Sequence, residues 1–227
     1  MMIEVQDVTK SFTLHQQGST VIPVLTGGNL TVKAGECVAL TGVSGSGKST
    51  LMRMIYGNYL TQSGSIRVGS VEVVGAEPRV VLELRRTVLG YVSQFLRVVP
   101  RVSTVDVVAE PLLGVGVAQD QARSRARDAL ARLNIPEALW GLSPLTFSGG
   151  EQQRVNIARG FVYHYPAMLL DEPTASLDAA NRATVLNMIE EARDRGAAIL
   201  EIFHNIKAHE QIYTHKINIS TFTPLTT

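Results

Sequence analysis

Apolar and polar side chains alternate from Ile3 to Val8, a period of two that predicts a half-buried strand, and Leu30 to Val32 reads the same way. Cys37 to Leu40 is a short unbroken apolar run that leads directly into a glycine-rich loop and then a helical stretch, Ser49 to Tyr56. β-Branched residues broken by glycines predict a hairpin around Gly64 to Val74, and Val88 to Ser93 predicts another buried strand. The period then changes. From Thr104 to about Gly160, Val105, Val108, Ala109 and Leu112 fall at helical spacing, and Gln119 to Leu133 repeats the pattern with arginines opposite. Pro100 and the Gly149-Gly150 pair bound this block, which predicts a helical insertion. The α/β pattern resumes with a strand over Met168 to Leu170, a helix over Ala179 to Arg195 stopped by Gly196, and a strand over Ala197 to Phe203.

Composition narrows the class. The chain has 227 residues, length enough for one domain with a sizeable insertion and a substantial core. With 45% hydrophobic and 18% charged residues it is globular rather than disordered in composition. A net charge of +1 gives no electrostatic reason to expect nucleic acid as a partner. Arg123, Arg125, Arg127 and Arg132 read as a solvated helix face. Cys37 is the only cysteine, so no internal disulfide can form; it reads as a small buried thiol in a reducing compartment. No run of about 18 apolar residues occurs, and Met1 to Glu4 lacks the basic-then-apolar order of a secretory signal. The expectation is a cytoplasmic chain whose membrane role, if it has one, is borrowed from a partner.

The loop Gly42-Val43-Ser44-Gly45-Ser46-Gly47-Lys48-Ser49-Thr50 fits the P-loop pattern G-x-x-x-x-G-K-[ST], in the strand–loop–helix setting that pattern needs. Its glycines let successive N–H groups turn onto phosphate oxygens, and the N-terminus of the following helix favours the same anion. Lys48 is expected to bridge the β- and γ-phosphates of ATP, and Ser49 to ligate Mg²⁺. Met168 to Leu170 is an apolar strand ending in Asp171, Glu172 and Pro173. Asp171 is expected to hold the Mg²⁺, Glu172 to act as general base on the attacking water, and Pro173 to end the strand.

Phe147-Ser148-Gly149-Gly150-Glu151-Gln152 places a serine hydroxyl and two glycine N–H groups at the start of a helix, a second anion site of the same physics. It resembles the signature of the ABC ATPases, usually Leu-Ser-Gly-Gly-Gln, with Phe and Glu standing where Leu and the first Gln are usual. That resemblance implies an α/β P-loop NTPase with a RecA-like core, an antiparallel β subdomain and an α-helical subdomain. In this sequence the core falls at 1–94 and 166–204 and the helical subdomain at 95–165. It implies that the signature contacts ATP held by the P-loop of a second ABC ATPase subunit, in a homodimer or a heterodimer. By the same resemblance Phe12 stacks on adenine (a lone Phe near a strand equally suits a core). Gln94 senses Mg²⁺ and the γ-phosphate, Ser176, Leu177 and Asp178 form the loop crossing the dimer interface, and His204 holds the γ-phosphate.

Several stretches are similar to the PhnL-type ATP-binding subunits of the bacterial phosphonate carbon–phosphorus lyase system. They are Gly35 to Val38, Tyr91 to Pro100, Leu133 to Glu137 and Thr146 to Phe161, with Gln94-Phe95-Leu96-Arg97 the most specific. The resemblance implies ATP hydrolysis in support of ribose 1-phosphonate triphosphate synthesis, with carbon–phosphorus lyase subunits as partners. The alternative is the cassette of a lipoprotein-release or macrolide-export transporter, with a membrane permease as partner. Residues 205–227 depart from the pattern: Asn205 follows the histidine, and Ser220 to Thr227 is rich in threonine.

Overall fold

The computed structural model describes residues 1–14, 19–203 and 211–222. The helices and strands fall into two sheets and two groups of helices.

The first sheet is antiparallel. β1 (Ile3–Leu14) pairs with β2 (Thr20–Val32) on one side and with β4 (Ser63–Val68) on the other, and β4 is followed by the short β5 (Val71–Glu72). Both long strands run well past the segments predicted for them, and β1 carries a bulge. Asp7 takes a left-handed φ of 49°, the register shifts there, and the Asp7 and Asn29 side chains and backbone hydrogen-bond across the irregularity. Gly64 lies opposite, where an added Cβ would sit 2.6 Å from the Asp7 carbonyl oxygen.

The second sheet is parallel, in the order β6 (Leu89–Val92), β7 (Ala167–Asp171), β8 (Ala198–Ile202), β3 (Cys37–Thr41), β9 (His215–Asn218). β7 and β8 are buried along their whole length and β3 over Cys37 to Leu40, as their continuous apolar runs require. One face, with Val38, Leu40, Leu169 and Leu200, packs with α1 (Lys48–Ile55) and the antiparallel sheet. The other, with Cys37, Met168, Leu170 and Ile199, packs with α5 (Gly149–Phe161) and α6 (Ala179–Asp194).

The helical block consists of α3 (Thr104–Gly114), α4 (Gln119–Arg132) and α5. Val105, Val108, Ala109 and Leu112 are buried as their spacing predicts, facing Ala122, Ala126 and Leu130 of α4. Arg127 and Arg132 of α4 are exposed as expected, while Arg123 and Arg125 are half-buried. Arg123 pairs with Asp106, Arg132 with Glu191, and Arg125 donates to the Val162 carbonyl, so this face ties α4 to its neighbours.

Two elements lie outside the sequence expectation. α2 (Pro78–Thr87) precedes β6, with Pro78 in its first turn and Val81 and Leu84 buried three residues apart. β9 extends the parallel sheet beside β3, and the following turn, Ile219–Phe222, sets Ile219 in the core.

Candidate functional site

The P-loop joins β3 to α1 at the C-terminal edge of the parallel sheet, the edge where α/β sheets place their ligands. Gly42, Gly45 and Gly47 take φ values of 144°, 80° and 92°, conformations that side chains resist. Space adds to dihedral demand. A Cβ on Gly42 would lie 2.7 Å from Ile219 and one on Gly47 would lie 2.8 Å from Val24. The C-terminal turn and β2 therefore press on the loop from outside. Lys48 is buried, and its Nζ donates to the carbonyls of Gly42 and Val43 at 2.8 Å each, which holds the ammonium over the loop. Ser46 is buried, Ser44 is exposed at the tip, and Ser49 and Thr50 begin α1 half-buried.

β7 carries Asp171 to the same edge with only 2% of its surface exposed. The Ser49 hydroxyl donates to one carboxylate oxygen at 3.3 Å, and the Tyr91 hydroxyl to the other at 3.3 Å. Burial pushes the Asp171 pKa up, the two hydroxyls work against that shift, and the adjacent Glu172 charge adds to it. Glu172 turns away from the strand with φ 54°, a left-handed conformation that is strained for a residue with a Cβ, while its N–H still donates to Ile202. Gln94 and Asp171 line one cleft of about 410 Å³ together with Tyr91, Arg53 and Arg97. Among the described residues no cluster of three His, Cys, Asp or Glu side chains offers a metal cage. A single carboxylate beside a hydroxyl and an amide is a donor set of the kind Mg²⁺ uses alongside phosphate oxygens.

Ser148 is the N-cap of α5, and its helix start is closed by a capping box. Ser148 donates through Oγ and N to the Glu151 carboxylate at 2.7 and 2.9 Å, and these hydrogen bonds hold the Glu151 pKa below the usual carboxylate range. Gly149 has nothing within 4 Å of an added Cβ, whereas one on Gly150 would come within 3.4 Å of the Ser176 carbonyl, so signature and interface loop adjoin. Gln152 donates to Phe147. In that loop Leu177 is buried, Ser176 is exposed, and Asp178 caps α6 by accepting from Asn181. Phe12 is half-buried on β1; Tyr59 meets it edge-on at 5.6 Å, with the Lys10 ammonium 5.0 Å from the ring centre. His204 lies outside the described residues, as do 205–210 and 223–227.

Three side chains tie these parts together and were not among the sequence candidates. Tyr91 reaches Asp171. Gln153 of α5 donates to the Pro173 carbonyl, and Asn156 donates to Ser93 at 2.6 Å, beside Gln94. Their signal in the sequence is polarity at positions the pattern assigns to the interior: a tyrosine in a buried strand, and a glutamine and an asparagine three apart on an apolar helix face.

Residues 25–175 match the family described as ABC transporter. The lipoprotein-releasing system ATP-binding protein LolD of Geobacter metallireducens is 37% identical, over 91% of this chain and 90% of its own. The macrolide export ATP-binding/permease protein MacB of Burkholderia thailandensis is 36% identical over 92% of this chain. The chain spans about a third of the length of such ATP-binding/permease relatives. Among solved structures, a dimeric post-hydrolysis state of the ATP-binding cassette MJ0796, bound to ADP and Pi, aligns with TM-score 0.87 and 27% identity over 96% of this chain and 94% of that one.

Proposed function

This chain belongs to the ABC transporter family, as an ATPase with the cassette fold of an α/β P-loop NTPase, and from that premise we propose that it hydrolyses ATP in a nucleotide-sandwich dimer that drives a permease of the lipoprotein-release or macrolide-export kind. The observation that carries the catalytic half is the Ser49–Asp171 hydrogen bond, which joins the P-loop helix to the acidic end of β7. Glycine N–H groups and Lys48 bind the phosphates, with Phe12 against the base. Ser49, Asp171 and Gln94 hold Mg²⁺, which when bound neutralises phosphate charge. Glu172 takes the proton of the attacking water, and His204 is assigned to the γ-phosphate on family resemblance alone.

Ser148, Gly149 and Gly150 serve the nucleotide of the partner subunit. To donate to that phosphate the Ser148 hydroxyl exchanges its bond to Glu151, so Glu151 competes with the ligand rather than contacting it. Ser176 to Asp178 cross the interface beside them.

The relatives favour a transporter, and none of those named above belongs to phosphonate metabolism, so the carbon–phosphorus lyase expectation becomes the second reading. The stretch Gln94-Phe95-Leu96-Arg97 lies at the surface, with Phe95 69% and Val99 70% exposed, as a surface awaiting a partner would be. A permease or soluble lyase subunits would both meet this chain there.

One preparation tests both levels. Glu172→Gln should keep ATP affinity, lose about 100-fold or more in turnover, and accumulate as an ATP-bound dimer. Wild-type turnover in that variant would end the general-base assignment. Recovery of a polytopic membrane protein with the trapped dimer supports the transporter reading, and recovery of soluble phosphonate enzymes replaces it with the second.

A further inference from the structure

We propose that Tyr91 is a positioning residue for the metal-binding carboxylate, its phenol fixing one oxygen of Asp171 so that the other stays turned to Ser49 and the P-loop. The inference rests on the reading of Asp171 as a Mg²⁺ ligand and adds to it a residue from a different strand.

Register brings the two together. Tyr91 of β6 stands opposite Leu169 of β7, and Asp171 follows two residues later on the same face. The Tyr91 hydroxyl donates to Oδ2 at 3.3 Å while Ser49 donates to Oδ1 at 3.3 Å. Among the described residues these two hydroxyls are the only side-chain donors to this buried carboxylate. An aspartate's terminal torsion is broad, so one hydrogen bond leaves the carboxylate free to swing. Ser49 can give a lone pair to the metal and its proton to Oδ1, but it fixes only that oxygen; Oδ2 is left to Tyr91.

The phenol is itself held. Tyr56 packs against its ring with centroids 4.9 Å apart, and the Arg85 guanidinium lies 4.3 Å from the centre of the Tyr56 ring. Arg53, which donates to Tyr59 at 2.9 Å, lines the same cleft as Tyr91. A phenol keeps its proton at neutral pH, its ordinary pKa being about 10, so the Tyr91 hydroxyl remains a donor.

The test compares Tyr91→Phe with the parent in ATP-loaded Glu172→Gln protein, with Mn²⁺ binding read by electron paramagnetic resonance and Mg²⁺ by competition. Removing the hydroxyl while keeping the ring should weaken metal binding about tenfold, the worth of one hydrogen bond to a charged group. Affinity for metal-free ATP should hold. In an Asp171→Asn background the same change should have no further effect. Unaltered Mn²⁺ affinity in Tyr91→Phe, or an equal loss in both backgrounds, overturns the proposal and leaves Tyr91 a packing residue. If Asp171→Asn alone leaves Mn²⁺ binding intact, the metal reading of Asp171 falls, and this inference with it.

Discussion

Glu201 stands in the middle of β8 with no exposed surface, and neither carboxylate oxygen has a hydrogen-bond partner among the described residues. Burial pushes its pKa well above the ordinary carboxylate range, and the neighbouring Tyr213 hydroxyl offsets only part of this. The folded state therefore keeps a proton that the unfolded chain releases near the usual glutamate pKa of about 4.3. Stability linked to this group is complete below that value and is lost as pH rises toward the folded pKa, by up to about 1.4 kcal/mol per pH unit. Glu201→Gln removes the titration. Thermal melts from pH 5 to 8 should show the variant gaining on wild type as pH rises; parallel curves would mean that Glu201 is not the proton carrier. The apolar run assigns Ala197 to Phe203 to a strand and shows Glu201 within it, but not that the carboxyl is enclosed. Its cost depends on β3, β7 and Tyr213 closing around it, and no local pattern records those neighbours.

At the scale of elements, the seam between α5 and β6 depends on a glycine that helix propensity would reject. Gly160 lies inside α5, where Ala is intrinsically better by about 1 kcal/mol. An added Cβ there would strike Val92, because the helix backbone lies directly on the strand. Gly114 at the end of α3 is the contrast, with Arg86 3.7 Å from its Cβ position and no tighter contact. Gly160→Ala should therefore lower stability by about 1–3 kcal/mol, whereas Gly114→Ala should be neutral or gain up to about 1 kcal/mol. Urea midpoints for the two variants decide it; a Gly160→Ala protein as stable as wild type would mean that the seam yields. The seam matters because α5 is capped by Ser148 and reaches Ser93, the residue before Gln94, through Asn156, so this helix links the signature to the cleft beside Asp171. α2 escaped the sequence reading for a related reason. Only Val81 and Leu84 are buried, so its apolar stripe is too thin to give a clear helical period.

For the whole molecule, the proposed dimer makes the P-loop and signature of one chain halves of two different sites. Lys48→Ala damages one half, and Gly149→Asp, at a position with open space around it, damages the other by placing a charge where phosphate would bind. Each variant alone should be inactive. An equimolar mixture should recover about a quarter of wild-type ATPase activity, since half of randomly paired dimers are mixed and each keeps one intact site. Activity is measured on the mixture after subunit exchange. No recovery at any ratio would argue that each chain completes its own site.

The candidate site residues of the P-loop, Asp171 and Glu172, and the signature could be proposed without coordinates, because a phosphate site constrains backbone dihedrals and charge within a few consecutive residues. So could the class of fold: alternation, helical spacing and unbroken apolar runs register burial locally. Tertiary structure alone decided what crosses between segments. It brought Tyr91 to Asp171 through strand register, pressed Ile219 and Val24 against the loop glycines, enclosed Glu201, and turned Glu151 back onto Ser148. Each of these joins residues through space at a distance of about an ångström's tolerance, and a one-dimensional pattern carries no term for that.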